Sequence, residues 1–293
     1  MNSYCRPLDN ARLVEHFVEK VLCITDDKEC NKAIDLIVRA ELQHKGIENN
    51  STLQHNDFRH RNFKTEDKRK NLRRRIFEEL VSFERPASDD SIKLGFGGAL
   101  PEGKKLQKSK EAFIIIGLPA SGKSSIASKI ADNYGAIILD SDFAKRKFPE
   151  FKWETGASLV HEESDEIIFG EQKEDDFSLL EFCCELGNNI VIPKIGHRPS
   201  KILTLAETLH NDWNYKVHLT LVSLDRQKAT IRAYNRFKKT KRYVPLSLIF
   251  DGYANDPILT YYRIKNNKLF TSYGKLSTDG DTSIVEASKG KVE

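Results

Sequence analysis

The chain has 293 residues, 39% hydrophobic and 31% charged, with a net charge of +4. That length and apolar content fit one large domain or two modest ones with a packed core, and exclude a disordered or fibrous chain. The longest apolar runs are far too short to cross a bilayer, and the opening MNSYCRPLDNARL has no leader-like apolar stretch, so a cytoplasmic protein away from membranes is expected. The five cysteines are odd in number and show no C-x-x-C spacing. They read as reduced thiols, with Cys183 and Cys184 inside a buried helix, LLEFCCELG.

Taken in chain order, the first predicted element is a helix in LDNARLVEHFVEKVLC. Leu13, Val14, Phe17, Val18, Val21 and Leu22 share one face, and Asp9 stands as its N-cap. A second helix is predicted in ECNKAIDLIVRAELQHKG, with Ala33, Ile34, Ile37 and Val38 as its stripe and Gly46 as its stop. A third follows Thr65, with Leu72, Ile76, Phe77 and Leu80 inward and Pro86 past its end. The charge is uneven: residues 1–110 hold 22 Lys+Arg and 18 Asp+Glu, whereas residues 111–293 hold 25 of each. Nine of the basic residues lie between Arg59 and Arg75. No aromatic residue interrupts the densest part, KRKNLRRR, so a helix face docked on acidic neighbours or left in solvent is a better reading than a nucleic-acid surface. Residues 86–110 are rich in Gly, Pro, Ser and Lys without a period, as in a linker or a long ordered arm.

From residue 111 short β-branched runs (AFIIIG, AIILD, NIVIP, KVHLTLVSL) alternate with amphipathic segments. That alternation predicts an α/β fold, a doubly wound and mostly parallel sheet, preceded by a small all-helical domain. The expected boundaries are 1–85 for the helical part, 86–110 for the linker and 111–293 for the α/β domain.

The first strand runs into GLPASGKSS. Gly117, Gly122, Lys123 and Ser124 satisfy G-x-x-x-x-G-K-[ST] between a strand and a helix. Small residues, here Gly117, Ala120, Ser121 and Gly122, let backbone N–H groups converge on phosphate oxygens. The helix N-terminus through Ser125 adds its positive end. Lys123 then neutralises the β and γ oxygens of a nucleoside triphosphate, and the Ser124 hydroxyl can ligate magnesium. The next strand ends in LDSD, which brings Asp140 and Asp142 to the same edge of a parallel sheet. One carboxylate can take a proton from an acceptor hydroxyl while the other reaches the metal or its waters. Neither an NKxD string nor a DExH/D string follows, which argues against a GTPase switch or a helicase. Arg232, Arg236 and Arg242, in ATIRAYNRFKKTKRYVP, supply cations for the charge that moves in phosphoryl transfer.

Together LDSDFAKRKFPEF, GASLVHEESDEI and NRFKKTKRYVP, spaced behind the phosphate loop, resemble the zeta-toxin family of P-loop kinases over about residues 112–275. The resemblance implies ATP and Mg2+ as cofactors and phosphorylation of the sugar 3′-hydroxyl of UDP-N-acetylglucosamine, which blocks cell-wall synthesis. It implies Asp142 as general base and metal contact and Lys145 as a basic residue by the acceptor. Arg242, with Arg232 or Arg236, would neutralise the triphosphate, and Glu162 or Glu163 would contact the acceptor. The family's Glu-Gly-Thr string after the fourth strand is absent. VIPKIGHRP stands there, offering Lys194, His197 and Arg198 to the substrate. The resemblance also implies an antitoxin partner, either separate or built in as residues 1–85 on a tether. A kinase acting on another hydroxyl, such as a nucleic-acid end, and a non-catalytic nucleotide-binding regulator are the alternatives.

Overall fold

The computed structural model describes residues 5–46, 50–103, 105–170, 178–280 and 283–290. Its centre is a six-stranded sheet in the order β2-β3-β1-β4-β5-β6. The strands are β1 (Glu111–Ile116), β2 (Ile137–Ile138), β3 (Ile190–Lys194), β4 (Lys216–Ser223), β5 (Phe270–Ser277) and β6 (Ile284–Lys289). All neighbours run parallel except β6, which closes the edge antiparallel to β5. β1 lies between β3 and β4, and its residues 112–116 are all buried, as a central strand covered on both faces requires. The crossover and peripheral helices of this layer are α4 (Lys123–Tyr134), α5 (Ser141–Lys147), α6 (Gly156–Leu159), α7 (His161–Phe169), α8 (Leu179–Leu186), α9 (Pro199–Glu207), α10 (Arg226–Thr240) and α11 (Asp256–Ile264). Helix α8 starts on a capping box, with Ser178 and Glu181 each serving the other's backbone, and carries Cys183 and Cys184 into the core. No helix among the described residues is long and apolar enough to cross a membrane.

Ahead of the sheet come α1 (Ala11–Lys20), α2 (Asp27–Gly46) and α3 (Glu66–Ser82). The cap of α1 is Asn10, whose side chain accepts from Leu13 N, while Asp9 pairs instead with Lys45 near the end of α2. Asn and Asp are nearly equivalent N-caps, so adjacent candidates are separated only by the local backbone. Helices α1 and α2 bury Val14, Phe17, Val18, Ala33 and Ile37 in a cluster shared with α10, with Leu246 and Ile249, and with Leu118 of the phosphate loop. Arg6 clamps Asp251 through two nitrogens, at 2.6 and 2.9 Å. Helix α3 packs elsewhere: Leu72, Ile76 and Leu80 join the main core beneath the sheet.

Four of the nine basic residues of the run are engaged in this packing. Arg69, 0% exposed, donates to Glu163 at 2.8 and 2.6 Å and to Glu150 at 2.7 Å, and both carboxylates are fully buried. Arg73 joins Glu163 to Glu66, Arg59 reaches Glu66 and the carbonyls of Thr52 and Leu53, and Arg75 pairs with Glu79. The helix is docked on acids.

Residues 86–103 form an ordered arm rather than a slack tether. Ile92 and Ala99 are buried, Ala99 O accepts from Ile138 N, and Arg85 at its root donates to Asp132 on α4. Lys147, from α5, is buried and donates to Glu79 at 2.8 Å and to the arm carbonyl of Gly97 at 2.5 Å.

Candidate active site

The loop between β1 and α4 closes on itself by small-residue geometry. A Cβ on Gly117 would lie 2.6 Å from Val222 O and 2.9 Å from Ser121 Oγ, so only glycine fits against β4 there. Ala120 and Gly122 adopt left-handed backbone, at φ 60° and 89°, which turns successive N–H groups to one side of the loop. The Ser121 hydroxyl is buried and has no partner among the described residues. Lys123 Nζ donates to the Gly117 and Leu118 carbonyls at 2.7 and 2.6 Å. Burial holds its pKa down to about 8, assisted by Arg236 and opposed by Asp140 and Asp142. Ser124 and Ser125 are exposed in the first turn of α4.

The strand-end carboxylates take different jobs. Asp140 caps α5, accepting from Asp142 N at 2.9 Å. Burial, and then the charge of Asp142, push the Asp140 carboxyl above its ordinary range. Asp142, one residue into α5, keeps 48% of its side-chain exposure and pairs with Lys145 at 2.9 Å. Burial alone would raise its pKa, but Lys145, Arg146 and Arg242 outweigh burial and hold it well below the usual range. Asp142 is therefore a standing carboxylate ringed by cations.

The phosphate loop and the Asp140–Asp142 turn border the crevice expected at the carboxyl edge of such a sheet; of the three arginines, Arg236 acts by charge on Lys123 there and Arg242 on Asp142. Arg236 acts on both Lys123 and Arg242 by charge, and its buried Nε has no partner among the described residues. Arg242, in the loop after α10, donates to Asp90 at 2.9 Å and lies over the Phe151 ring. Arg232 is placed differently: it donates to Thr278 O at 2.8 Å. Thr278, just past β5, in turn gives its hydroxyl to Ser121 O at 2.7 Å, so Arg232 buttresses the phosphate loop from outside.

The expected acceptor contacts divide. Lys194, at the end of β3, stands over the Phe169 ring with its Nζ 3.3 Å from the centroid, and the charges of Asp165, Asp140 and Lys145 all act on it. Burial lowers its pKa. His197 lies against Tyr253, with ring centroids 5.3 Å apart, and Arg198 is exposed at the N-cap of α9. Neither is tied to Asp142 by any contact among the described residues. Glu162 is exposed and accepts from Gln54 Nε2. Glu163 belongs to the interior: locked by Arg69, Arg73 and Thr52, it does not reach the crevice. Helical period explains the split, since adjacent residues on α7 point about 100° apart and one must turn inward.

Sequence reasoning passed over Arg146, Asp165, Thr278 and Asp90. Arg146 was legible in principle, four residues after Asp142 on one helix face; its Nη1 donates to Asp142 O at 3.3 Å. Asp165 accepts a short hydrogen bond from Ser141. Thr278 and Asp90 arrive from distant segments and carry no local pattern. Phe270 and Tyr273 belong to the core and its margin.

Residues 99–257 match the family model described as zeta toxin, more than half of the chain. The match begins inside the arm, twelve residues before β1. Among solved structures, the PezAT chromosomal toxin–antitoxin system of Streptococcus pneumoniae is similar at 15% identity, covering 76% of this chain and 81% of that one, with a TM-score of 0.51. The complex of AvrRxo1-ORF1 and AvrRxo1-ORF2 with sulphate ions matches at 18% identity over 75% and 67%, with a TM-score of 0.46. A gluconokinase from Sinorhizobium meliloti matches at 15% identity over 59% and 86%, with a TM-score of 0.35. The first supports the fold. No curated protein matches the sequence.

Proposed function

This chain belongs to the zeta toxin family, and on that premise we propose that it is a P-loop kinase that moves the γ-phosphoryl group of ATP to a hydroxyl of a sugar nucleotide. The observation that carries this reading is the convergence of Lys123, Asp142, Arg236 and Arg242 on one crevice at the carboxyl edge of the sheet. Lys123 leaves its loop carbonyls for the phosphates. Asp142, ionised and half-exposed, accepts the hydroxyl proton as the acceptor oxygen attacks. Arg236 and Arg242 offset charge on the transferring group. Arg232, which donates to Thr278 O, is assigned to support of the loop instead.

Among the described residues no group of three or more His, Cys, Asp or Glu side chains could hold a metal by itself. That fits Mg2+ carried in on the nucleotide, which needs only one or two protein oxygens, here the Ser124 hydroxyl and the Asp142 carboxylate. When bound, it would neutralise phosphate charge.

UDP-N-acetylglucosamine is the acceptor we favour, with Lys145 and Lys194 facing its diphosphate, because the cations of this site outnumber those needed for the triphosphate alone. A nucleic-acid acceptor is disfavoured because Arg59, Arg69 and Arg73 are spent on Glu66, Glu150 and Glu163. We propose that an antitoxin, where one acts, engages this same crevice. Any control by residues 1–85 would run through α1 and α2, which press on α10 and on Leu118, since α3 is built into the core.

The test is ATP turnover by the full chain with and without UDP-N-acetylglucosamine, with products analysed by mass. The expected product is a phosphorylated sugar nucleotide, reduced about 100- to 10,000-fold in Asp142→Asn. Equal product from the variant would refute the assigned base, and ATP binding with no such product would refute the acceptor.

A further inference from the structure

Asp90, from the arm ahead of the sheet, uses one carboxylate oxygen to hold two arginines of the crevice. Oδ1 accepts from Arg242 Nη1 at 2.9 Å and from Arg146 Nη2 at 3.2 Å. The partners lie 152 and 56 residues away in sequence, on the loop after α10 and on α5. Arg146 also donates to the backbone of Asp142, so a single carboxylate joins the helix of the proposed base to the loop of a proposed phosphate-neutralising arginine.

Three features make this a built arrangement. The arm is pinned on both sides of Asp90, by Arg85 to Asp132 before it and by Lys147 to Gly97 O after it. Gly95 N donates to Glu79, which Lys147 also holds, so the arm, α3 and α5 share one buried polar knot. The arginines are well covered, with side-chain exposures of 7% for Arg146 and 20% for Arg242, whereas Asp90 keeps 53%. Each arginine gives Asp90 a single nitrogen. A guanidinium has five donors in a rigid fork, so Arg146 can bridge Asp142 O and Asp90 with its two Nη atoms, and Arg242, anchored at Nη1, has other donors to offer phosphate oxygens. Without Asp90, the two like charges would lie close together and push apart.

We propose that Asp90 is a positioning residue for phosphoryl transfer, setting Arg242 and Arg146 around Asp142. The proposal rests on the kinase reading above and extends the catalytic apparatus into residues that precede the α/β layer. It contrasts with an inhibitory clamp, in which Asp90 would occupy Arg242 in competition with phosphate.

The experiment is a double-mutant cycle of Asp90→Asn and Arg242→Ala in the full chain, with Asp90→Glu as the conservative variant and thermal melts to confirm folding. Both kcat and KM for ATP are measured, as are affinities for fluorescent ATP and ADP analogues. Asp90→Asn should lower kcat by about 10- to 100-fold with KM changed less than about threefold, since the loss is of alignment. Asp90→Glu should recover part of it, and adding Asp90→Asn to Arg242→Ala should cost clearly less than in wild type, since only the hold on Arg146 is then left to lose. The preference for the ATP analogue over the ADP analogue should weaken in Asp90→Asn. Tighter ATP binding or faster turnover in Asp90→Asn would overturn the proposal in favour of the clamp. Equal losses with and without Arg242, or no loss, would overturn it outright. A wild type that binds ATP but transfers nothing would refute the kinase reading alone, and the ATP-over-ADP comparison would still decide the role of Asp90.

Discussion

Arg69 offers the sharpest test of the claim that residues before the sheet are part of the kinase interior. Its guanidinium satisfies Glu163 and Glu150, and all three side chains are 0% exposed. Replacing it by alanine strands two carboxylates in the core. Removing one member of a buried ion pair costs about 3–5 kcal/mol, because the remaining charge is left without compensation. Partial relief is available. Glu163 keeps Arg73 at 3.0 Å and the Thr52 hydroxyl at 2.6 Å, and Glu150 keeps His60 N at 2.7 Å. Glu150 Oε2, however, already lacks a partner among the described residues. The expected loss is therefore about 4 kcal/mol, and at about 2–4 °C per kcal/mol for a chain of this class, melting falls by about 8–16 °C.

The pH dependence gives a second reading of the same variant. Burial alone would raise the Glu163 pKa, but Arg69, Thr52 and Arg73 outweigh it and hold the carboxyl below its ordinary 4.5. A depressed carboxyl adds stability that is fully present above the unfolded pKa and is lost as pH falls through the folded value. Wild type should therefore hold its melting temperature from pH 7 to pH 5 and weaken in more acid solution. Arg69→Ala removes the main lowering influence, so the deficit should shrink between pH 7 and pH 5 as the stranded Glu163 carboxyl takes up a proton. Melting curves by circular dichroism at pH 5, 6 and 7 decide the matter. A loss below about 1 kcal/mol, the range of exposed ion pairs, would refute the reasoning.

Other expectations are as direct. Thr278→Val removes the hydroxyl bond to Ser121 O and should weaken ATP binding about fivefold, corresponding to about 1 kcal/mol, by titration calorimetry. Burial holds the Lys123 pKa down to about 8, and phosphate should return it toward its ordinary 10.5. ATP binding at about pH 8.5 should therefore be accompanied by proton uptake, read from the dependence of binding heat on buffer ionisation; no uptake would show that Lys123 does not meet phosphate. Deleting residues 1–85 removes Arg69 and the apolar faces of α1 to α3, so the product should be insoluble or molten by near-ultraviolet dichroism. A folded and more active product would restore the detachable-inhibitor reading. Single-stranded oligonucleotides should show no salt-dependent affinity that depends on Arg69 or Arg73.

What could be read from the chain followed from where each signal resides. The phosphate loop was legible because its function depends on local backbone: Gly117 admits no Cβ against Val222 O, and Gly122 needs a left-handed φ. The parallel sheet was legible in its continuous apolar strands, and the first three helices in their stripes. Asp142 was legible because LDSD ends a strand whose carboxyl edge the topology turns toward the loop. Contacts between distant segments were not legible. Glu162 and Glu163 are chemically alike and adjacent, and only the packing of α3 against α7 decides which one turns inward to Arg69. Arg232 and Arg236 share a helix face, and only Thr278, 46 residues on from Arg232, tells them apart.

A pattern-based boundary falls before β1, because residues 86–110 have no period of their own. Side-chain contacts cross that boundary. Lys147 is buried on the helix that carries Asp142, and among the described residues its ammonium donates to Glu79 and to carbonyls of the arm. Without them it would be a bare cation in the interior, several kcal/mol less stable than in water. Helix α5, and with it Asp142 and Arg146, therefore keeps its place only while α3 and the arm are folded onto it. Substituting Glu79 with glutamine should thus lower turnover as well as stability, in contrast to a comparably destabilising cut such as Phe17→Leu in the α1–α2 cluster, where stability should fall and turnover per folded molecule should hold. Equal effects of the two variants on turnover per folded molecule would show that the polar knot does not set the geometry of α5.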